Sequence, residues 1–159
     1  MSFQIFIKLP FIFGPLMKTL FEKLNYKGQK RIALINAEEN FNLSAYEEIK
    51  DIQIDGKIDP RYPYDFMIIF VRKVSEVRKI TPVALHNLTA DGILWFCYPK
   101  KTSKKHTSNI DRDHGWKTLN DLEFYGIRMV AIDDDWSALR FRNIKYIKAT
   151  SDRFPGKKG

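Results

Sequence analysis

Three continuous apolar runs constrain the fold of this chain more than any other feature. Each has the length of a β-strand and is rich in β-branched or aromatic residues: "RIALINA" (31–37), "YDFMIIFVR" (64–72) and "DGILWFCYP" (91–99). Strands that are apolar on both faces are typical of a sheet covered by helices on both sides. These runs therefore predict the central strands of a largely parallel sheet.

Segments with helical signals separate the apolar runs. Helical spacing or capping residues predict helices over 16–24, from Asn42 or Ser44 to Lys50, over 75–89 and over 111–124. The third contains Pro82, which predicts a kink or a new turn. Strands that alternate with helices call for parallel pairing with right-handed crossovers.

The C-terminal part breaks this alternation. Residues 127–132 and 138–147 have strand patterns with no helix between them, so they predict an antiparallel hairpin with "DDDWS" (133–137) at its turn. A shorter half-buried strand is predicted over 51–55. The predicted fold class is α/β: a three-layer Rossmann-like domain with a mainly parallel sheet flanked by helices and a C-terminal antiparallel hairpin.

Length and apolar content predict one domain. The 159 residues are 44% hydrophobic, enough for one core. Met17 begins a more ordinary N-terminal sequence, so residues 1–16 are interpreted as an extension outside the fold, 17–148 as a single Rossmann-like domain and 149–159 as a basic tail. The apolar N-terminal stretch falls short of the ~20 residues that span a bilayer, so no transmembrane segment is predicted.

Cysteine usage and charge indicate the compartment and the partners. Cys97 is the only cysteine and lies in an apolar run, which predicts a buried thiol and a reducing cytoplasm. The chain has 27 Lys and Arg against 19 Asp and Glu, a net charge of +8. This excess favours anionic partners, and the two classes considered are a small anionic ligand and nucleic acid.

The segment "YPKKTSKKHTS" (98–108) is the best candidate for a ligand site. It follows a central strand, and open α/β sheets bind ligands beyond the carboxyl ends of their strands. Its lysines and hydroxyl side chains suit a phosphate or a carboxylate. It lacks the glycines of a P-loop, and a solvated basic loop is the competing interpretation.

The acidic segment "DDDWSAL" (133–139) is interpreted mainly as a structural turn, with Trp136 over the sheet end or a ligand. Three adjacent aspartates in a strand do not converge on one metal ion unless the turn bends them inward. If the hairpin lies beside the preceding strand, Asp133 or Asp134 pairs with Lys100 and the two segments form one site. The predicted ligand-binding residues are Lys100, Lys101, Thr102, Ser103, Asp133, Asp134, Trp136 and Ser137.

Metal and catalytic interpretations have less support. The potential metal ligands have unconvincing spacing: His106, Asp111, Asp113 and His114. Two of them, Asp111 and Asp113, are also ordinary residues for the first turn of the predicted helix over 111–124. No catalytic residue, cofactor or metal is therefore assigned.

A basic stripe on the last predicted strand suggests nucleic acid as an alternative partner. Cations alternate with aromatic residues in this stripe: Arg140, Phe141, Arg142, Lys145, Tyr146 and Lys148. A strand with cations on one face can follow phosphates. The competing interpretation is an edge strand that charge protects from aggregation.

Two segments, "LWFCYPKKTSKKHTSNIDRD" and "GIRMVAIDDDWSALRF", resemble an uncharacterised bacterial family, domain of unknown function 3052. The resemblance covers residues 17 to 143. Ala138 stands where that family commonly has glycine, and Arg140 where it has lysine. The positions that match the family pattern are Pro99, Lys100, Ser103, Asp133, Trp136, Ser137 and Leu139.

The order of elements resembles the Rossmann-like fold of S-adenosylmethionine-dependent methyltransferases, shortened by one unit. In those enzymes the first strand leads into a glycine-rich turn that lets the backbone approach the cofactor. Here "INAEENFN" has no glycine, and Glu38 and Glu39 add bulk and negative charge. The sequence thus predicts a non-catalytic or vestigial methyltransferase-like domain that binds a small anion at the carboxyl edge of its sheet. The alternatives are a nucleic-acid-binding accessory protein and an enzyme of unassigned chemistry.

Overall fold

The computed structural model describes residues 17–148, which form one six-stranded sheet with the order β2-β1-β3-β4-β6-β5. Pairing is parallel from β2 to β4 and antiparallel from β4 through β6 to β5. The predicted fold class is therefore confirmed. The elements are α1 (Leu20–Lys23), β1 (Arg31–Ile35), β2 (Gln53–Asp55), β3 (Tyr64–Phe70), α2 (Val74–Asn87), β4 (Leu88–Pro99), α3 (Lys117–Asp121), β5 (Phe124–Ala131) and β6 (Trp136–Asn143), with 3-10 turns at Leu43–Ala45, Glu47–Ile49 and Ile144–Tyr146.

The two faces of the sheet are covered differently. On the helix-covered face, α2 and α3 pack against alternate strand residues such as Phe96. On the turn-covered face, α1 and the turn at Glu47–Ile49 pack against Trp95 and Cys97. The indole Nε1 of Trp95 donates a hydrogen bond of 2.8 Å to the carbonyl of Leu24. Both faces of the central strands are buried, as their continuous apolar runs predict.

Helix α2 continues through Pro82 from Val74 to Asn87. It begins before the predicted cap at Ser75, because the Glu76 carboxylate accepts hydrogen bonds from the backbone N–H groups of Arg72 and Lys73, at 2.6 and 3.0 Å. These bonds satisfy donors that a helix N-terminus leaves unpaired. Within residues 17–148, no helix is both long and apolar enough to cross a membrane.

The predicted helix over 111–124 is wrong over most of its length. The Asp111 carboxylate accepts backbone N–H bonds from Asp113 and His114, at 2.8 and 2.9 Å. Such local side-chain bonds compete with helical ones, and Gly115 follows with φ of +106°. Only α3, Lys117–Asp121, is helical, so the interpretation of Asp111 and Asp113 as first-turn residues is also wrong.

Other boundaries differ from the predictions. Asn42 does cap a turn by accepting from the Ser44 N–H at 3.1 Å, but residues 42–50 form two 3-10 turns instead of a helix. The strand predicted to reach residue 147 ends at Asn143, whose side chain accepts from the Lys145 N–H and starts another 3-10 turn. The predictions for residues 1–16 and 149–159 lie outside the described residues.

The pairing of β4 with β6 places the two distinctive segments together. Pro99, the last residue of β4, lies opposite Trp136, the first residue of β6. The backbone N–H groups of Ile132 and Asp133 both donate to the Trp136 carbonyl, at 2.9 and 3.3 Å, which closes the β5–β6 hairpin. The lysine-rich loop and the acidic turn therefore leave the sheet side by side at its carboxyl edge.

Candidate functional site

Asp135 joins the lysine-rich loop to the acidic turn. Its backbone carbonyl accepts a hydrogen bond of 2.8 Å from the Lys100 N–H, and its Oδ1 accepts another of 2.8 Å from the Ser103 hydroxyl. The Nζ of Lys105 lies 3.8 Å from its Oδ2. The sequence predicted Asp133 or Asp134 as the partner of Lys100, and Asp135 was not among the predicted residues. Adjacent aspartates give no sequence signal that distinguishes the one facing the loop.

The other two aspartates lie at the turn. The Oδ1 of Asp133 accepts from the backbone N–H groups of Asp135 and Trp136, both at 2.8 Å, so this residue stabilises the turn itself. Asp134 is exposed. Within residues 17–148, no ion pair joins the Lys100 side chain to either residue, and the predicted pairing is replaced by the contacts of Asp135.

Ser103 uses its hydroxyl inside the loop. The oxygen accepts from the backbone N–H groups of Lys105 and His106, both at 3.2 Å, while its hydrogen is donated to Asp135. A serine hydroxyl has one hydrogen to donate. Ser103 therefore shapes the loop, and its donor is already engaged.

Trp136 is only 1% exposed and lies in an aromatic cluster on the turn-covered side of the edge. Its ring centroid lies 5.1 Å from that of Phe70 and 5.2 Å from that of His106, and the Arg72 guanidinium lies 5.1 Å from the ring. Phe41 extends the cluster, with its centroid 5.4 Å from that of Phe70. We define the aromatic cluster as Phe41, Phe70, His106 and Trp136.

The segment after β1 folds onto this aromatic cluster. The Glu38 side chain is 13% exposed, and its Oε1 lies 3.9 Å from His106 Nε2. Its Oε2 accepts from the Asn40 N–H at 3.0 Å, which holds the turn that leads to Phe41. The glycine-free segment noted in the sequence is thus fixed by its own side chains.

A cavity of about 390 Å³ opens on the helix-covered side of the same edge. Four predicted site residues line this edge cavity: Lys100, Lys101, Thr102 and Ser137. The other five lining residues were not among the predicted ligand-binding residues, although Tyr98 lies in the candidate segment 98–108; these are Tyr98, Asp111, Arg112, Asp113 and His114. Asp133, Asp134, Ser103 and Trp136 lie outside its lining.

Two nearly buried hydroxyl side chains line the edge cavity. Tyr98 is 4% exposed and Ser137 is 7% exposed. Burial raises the pKa of the Tyr98 phenol, so its hydroxyl keeps its proton at neutral pH. That hydroxyl donates to Met129 Sδ at 3.3 Å. Because a thioether is a weak acceptor, the phenol has a donor that a stronger acceptor can engage.

Asp111 holds the outer wall of the edge cavity. Its Oδ1 lies 2.8 Å from His114 Nδ1, and its Oδ2 lies 3.0 Å from Lys101 Nζ. The hydrogen bond from His114 is the main cause that holds the pKa of Asp111 well below its usual range. His106 lies apart, in the aromatic cluster. Across residues 17–148, no three Asp, Glu, His or Cys side chains are grouped so that they could hold a metal ion.

Asp55, the last residue of β2, is engaged by residues of β1 and β3. Its Oδ2 lies 2.7 Å from Arg31 Nε and accepts a hydrogen bond from the Tyr64 hydroxyl. Arg31 also contacts Asp59 at 3.0 Å. Arg31 and Tyr64 are the first residues of β1 and β3, so Asp55 at the end of β2 is held by the opposite ends of these two strands.

Comparison with known proteins supports the fold. The chain is similar to the N-methyltransferase NodS from Bradyrhizobium japonicum WM9 in complex with S-adenosyl-l-homocysteine, with a TM-score of 0.52, 11% identity and coverage of 79% of this chain and 83% of that chain. A putative type 11 methyltransferase from Sulfolobus solfataricus gives a TM-score of 0.47 at 12% identity, covering 84% of this chain and 94% of that one. The tRNA methyltransferase TrmK from B. subtilis gives 0.46 at 12% identity, covering 80% and 66%.

At 11% identity, the similarity to NodS shows a shared fold and nothing more. The chain therefore has the Rossmann-like fold of S-adenosylmethionine-dependent methyltransferases, as its order of elements predicts. No protein-family model matches the sequence, and no curated protein matches it.

Proposed function

We propose that this chain is a non-catalytic methyltransferase-like domain that binds a small anion, or an anionic group of a larger molecule, in the edge cavity. The observation that carries the proposal is that cationic side chains and two nearly buried hydroxyls line one cavity of about 390 Å³ at the carboxyl edge. Open α/β sheets bind ligands at this edge. A cavity of that volume suits a small molecule.

Charge supports an anionic ligand. Three cationic side chains line the edge cavity, and they are Lys100, Lys101 and Arg112. Of the two carboxylates there, Asp111 is engaged by His114 and Lys101. Arginine binds carboxylate and phosphate through paired N–H groups, and hydroxyls such as those of Tyr98 and Ser137 add neutral donors.

The packing on the turn-covered side of the edge is the reason that we propose a domain without methyltransferase activity. The segment after β1, where methyltransferases have a glycine-rich turn, is folded onto the aromatic cluster through Glu38 and Phe41. A cofactor would have to displace these packed side chains in order to lie against the first strand. The proposed ligand lies instead on the opposite face, beyond β4 and β6.

Titration with defined anions tests the proposal. Inorganic phosphate, citrate, AMP and S-adenosylhomocysteine are titrated into the full chain while thermal unfolding and binding heat are measured. We expect at least one of the first three to raise the melting temperature in a saturable way. Lys100→Gln combined with Arg112→Gln should lower the affinity for that anion by about tenfold or more, because each charge-assisted hydrogen bond contributes about 1.5–3 kcal/mol.

The matched control is Lys57→Gln combined with Lys104→Gln, which removes two charges from exposed lysines outside the edge cavity. This control should keep the full response. An equal loss in both double variants would show nonspecific charge attraction, and no saturable response to any anion in the panel would refute the proposal. Saturable binding of S-adenosylhomocysteine alone would favour a working cofactor site and would also contradict it.

An enzyme is the second candidate, and one observation favours it. The Asp111 carboxylate contacts His114 Nδ1 at 2.8 Å, and both residues line the edge cavity together with Ser137. A histidine oriented by a carboxylate is the arrangement of a general base. Hydrolysis of p-nitrophenyl acetate and p-nitrophenyl phosphate tests this candidate, which requires a rate that His114→Gln abolishes.

The proposed domain comprises residues 17–148, with 1–16 as an extension and 149–159 as a basic tail, in a bacterial cytoplasm. Membership of the family domain of unknown function 3052 rests on the two segments that meet through Asp135. Limited proteolysis followed by mass spectrometry tests the boundaries, since cleavage should be confined to the two terminal segments.

A further inference from the structure

Three arginines lie together on the turn-covered face of the sheet, away from the edge cavity. Leu139 and Phe141 pack into the core under the helix-covered face, so Arg140 and Arg142, which alternate with them, point to the opposite face. Arg128 on β5 is the direct cross-strand partner of Arg140. Residues two apart in a strand are about 6.6–6.8 Å apart, so the three guanidinium groups share a small area. We call Arg128, Arg140 and Arg142 the arginine face.

The positive charge of the arginine face is only partly compensated. Asp91 binds Arg142 through two hydrogen bonds of 2.8 and 2.7 Å. The buried Nε of Arg140 has no hydrogen-bond partner among residues 17–148, and Arg128 is exposed. Like charges directly opposite each other across two strands are destabilising. Two like charges that face each other across β5 and β6 favour an anionic partner at the exposed side of this pair.

The surroundings of the arginine face include an aromatic ring. Tyr125 lies opposite Arg142 on β5, is half-buried and packs against the C-terminal 3-10 turn. On the other side of Arg140 lies Trp95, which is fully buried under the segment around Leu24. A sheet surface that combines cations with an aromatic ring is typical of proteins that bind single-stranded nucleic acid.

The basic stripe that the sequence predicts on the last strand has different members in the structure. Phe141 is 1% exposed, so it belongs to the core and is not available for stacking on a base. The Lys145 ammonium lies 5.2 Å from the ring of Tyr146, on the 3-10 turn beyond β6. Arg128, which the sequence did not connect to this stripe, joins it through strand pairing.

We propose that the arginine face binds the phosphate backbone of single-stranded nucleic acid, with Arg128 and Arg140 as the main contacts. Asp91 limits this binding by occupying Arg142. The planar guanidinium forms paired hydrogen bonds with phosphate oxygens, which suits two arginines at adjacent positions better than two lysines. This surface lies on the face opposite the edge cavity and does not depend on the function proposed for it.

Fluorescence anisotropy with labelled poly(U) and poly(dT) tests the proposal with the full chain. We expect binding at low ionic strength that weakens with salt. Arg128→Ala should lower the magnitude of the salt slope by about 0.7, and Arg128→Ala with Arg140→Gln by about 1.4, since each single-strand phosphate contact contributes about 0.7. The matched control is Arg78→Ala with Lys79→Ala on the exposed side of α2, which should leave affinity and slope nearly unchanged.

Asp91→Asn gives the opposite effect and does not depend on a destabilised variant. Asp91 has φ of +56°, which asparagine accepts readily, and the amide is a weaker acceptor for Arg142. We expect a several-fold higher affinity and a salt slope about 0.7 steeper, because Arg142 becomes able to contact phosphate.

Three outcomes overturn this proposal. These are no binding of either oligonucleotide at low salt, equal weakening by the control variant, and no gain with Asp91→Asn. Vesicles containing phosphatidylserine are the competing anionic surface, and binding to vesicles without oligonucleotide binding would also reject the proposal. The edge-cavity variant Lys100→Gln with Arg112→Gln removes two positive charges, as does the control variant Arg78→Ala with Lys79→Ala. Its oligonucleotide affinity should lie within about twofold of that of the control, which separates the two proposals.

Discussion

The two sides of the carboxyl edge of the sheet differ in what fills them. On the turn-covered side, the aromatic cluster packs against the end of β3 and the start of β6, and Glu38 folds over it. On the helix-covered side, the loop after β4 stands off the sheet and leaves a cavity of about 390 Å³. One edge of one sheet thus has a packed side and an open side.

This difference teaches that the strand order of the fold does not determine which side of its carboxyl edge is packed. The strand order is that of the methyltransferase-like Rossmann fold, but the segment after β1 contributes packing in place of a glycine-rich turn. The open side is bounded by a loop that local hydrogen bonds of Ser103 and Asp111 hold in shape. The same architecture can therefore present a site beyond β4 and β6 while the region beyond β1 is closed by side chains.

Truncation of Trp136, on the packed side, should cause the largest loss in the free energy of unfolding. Trp136 is 1% exposed and contacts Phe70 and His106 through its ring. We expect Trp136→Ala to lower the free energy of unfolding by about 3–5 kcal/mol, as measured by urea denaturation. Trp136→Phe keeps much of the packing and should lose clearly less. A loss below about 1 kcal/mol for the alanine variant would show that the packed side is not part of the core.

Removal of the Ser103 hydroxyl should have an intermediate effect. This hydroxyl donates to Asp135 and accepts two backbone N–H groups, so Ser103→Ala leaves those groups without their partner. We expect a loss of about 1–2 kcal/mol in urea denaturation. Thr107→Ala, an exposed position in the same loop, serves as the control and should change stability little. Equal effects in the two variants would contradict the role of Ser103 in joining the two segments.

Lowering the pH should destabilise the segment 111–114, which borders the edge cavity, before it affects the packed side. The pKa of Asp111 is held below its usual value chiefly by the hydrogen bond from His114, so folding favours the ionised form. A depressed carboxyl pKa contributes stability that is present above the unfolded-state pKa and is lost as pH falls through the folded-state pKa. We expect amide exchange in residues 111–114 to accelerate as pH falls below about 4, relative to the intrinsic rates.

The comparison for this acid effect is Asp111→Asn, which cannot titrate. Its protection in residues 111–114 should already be reduced at neutral pH and should change little on acidification. If the wild-type segment keeps its protection well below pH 4 while the variant is equally protected at neutral pH, the carboxylate has no part in holding the loop.

Neutralising Glu38 should have the smallest effect. Its Oε1 lies 3.9 Å from His106 Nε2, which is too long for a hydrogen bond, and glutamine retains an oxygen that can accept from the Asn40 N–H. We expect Glu38→Gln to change the free energy of unfolding by less than about 0.5 kcal/mol at neutral pH. A loss above about 2 kcal/mol would mean that the ionised pair stabilises the packed side strongly.

The sheet was predictable because the continuous apolar runs of its central strands indicate burial on both faces. The residues 31–35, 64–70 and 93–99 pair as consecutive neighbours in the sheet, and their apolar runs required such an arrangement. The last two strands were also predictable, since no helix separates them. The 111–124 segment was mispredicted because the carboxylate of Asp111 bonds to local backbone N–H groups, a competition that spacing alone does not reveal.

The residues that sequence analysis missed depend on pairing across strands or on small differences in direction. Tyr98 lies in an apolar run and showed no sign that its hydroxyl borders a cavity. Asp135 differs from its two acidic neighbours only in which way it faces. Arg128 is twelve positions from Arg140, and only the β5–β6 register places them opposite each other. The strand bulge between Gly126 and Arg128 also shifts that register.

The fully buried thiol of Cys97 gives this molecule an internal reporter. It lies near the carboxyl end of β4, opposite Ala138 of β6, and is the only cysteine in the sequence. Burial raises the pKa of this thiol, so a thiol reagent reacts with it only after the residues that cover it on the turn-covered face move away. Its modification rate therefore measures how often the packed side of the carboxyl edge opens, at a position two residues before the last residue of β4, whose following loop borders the edge cavity.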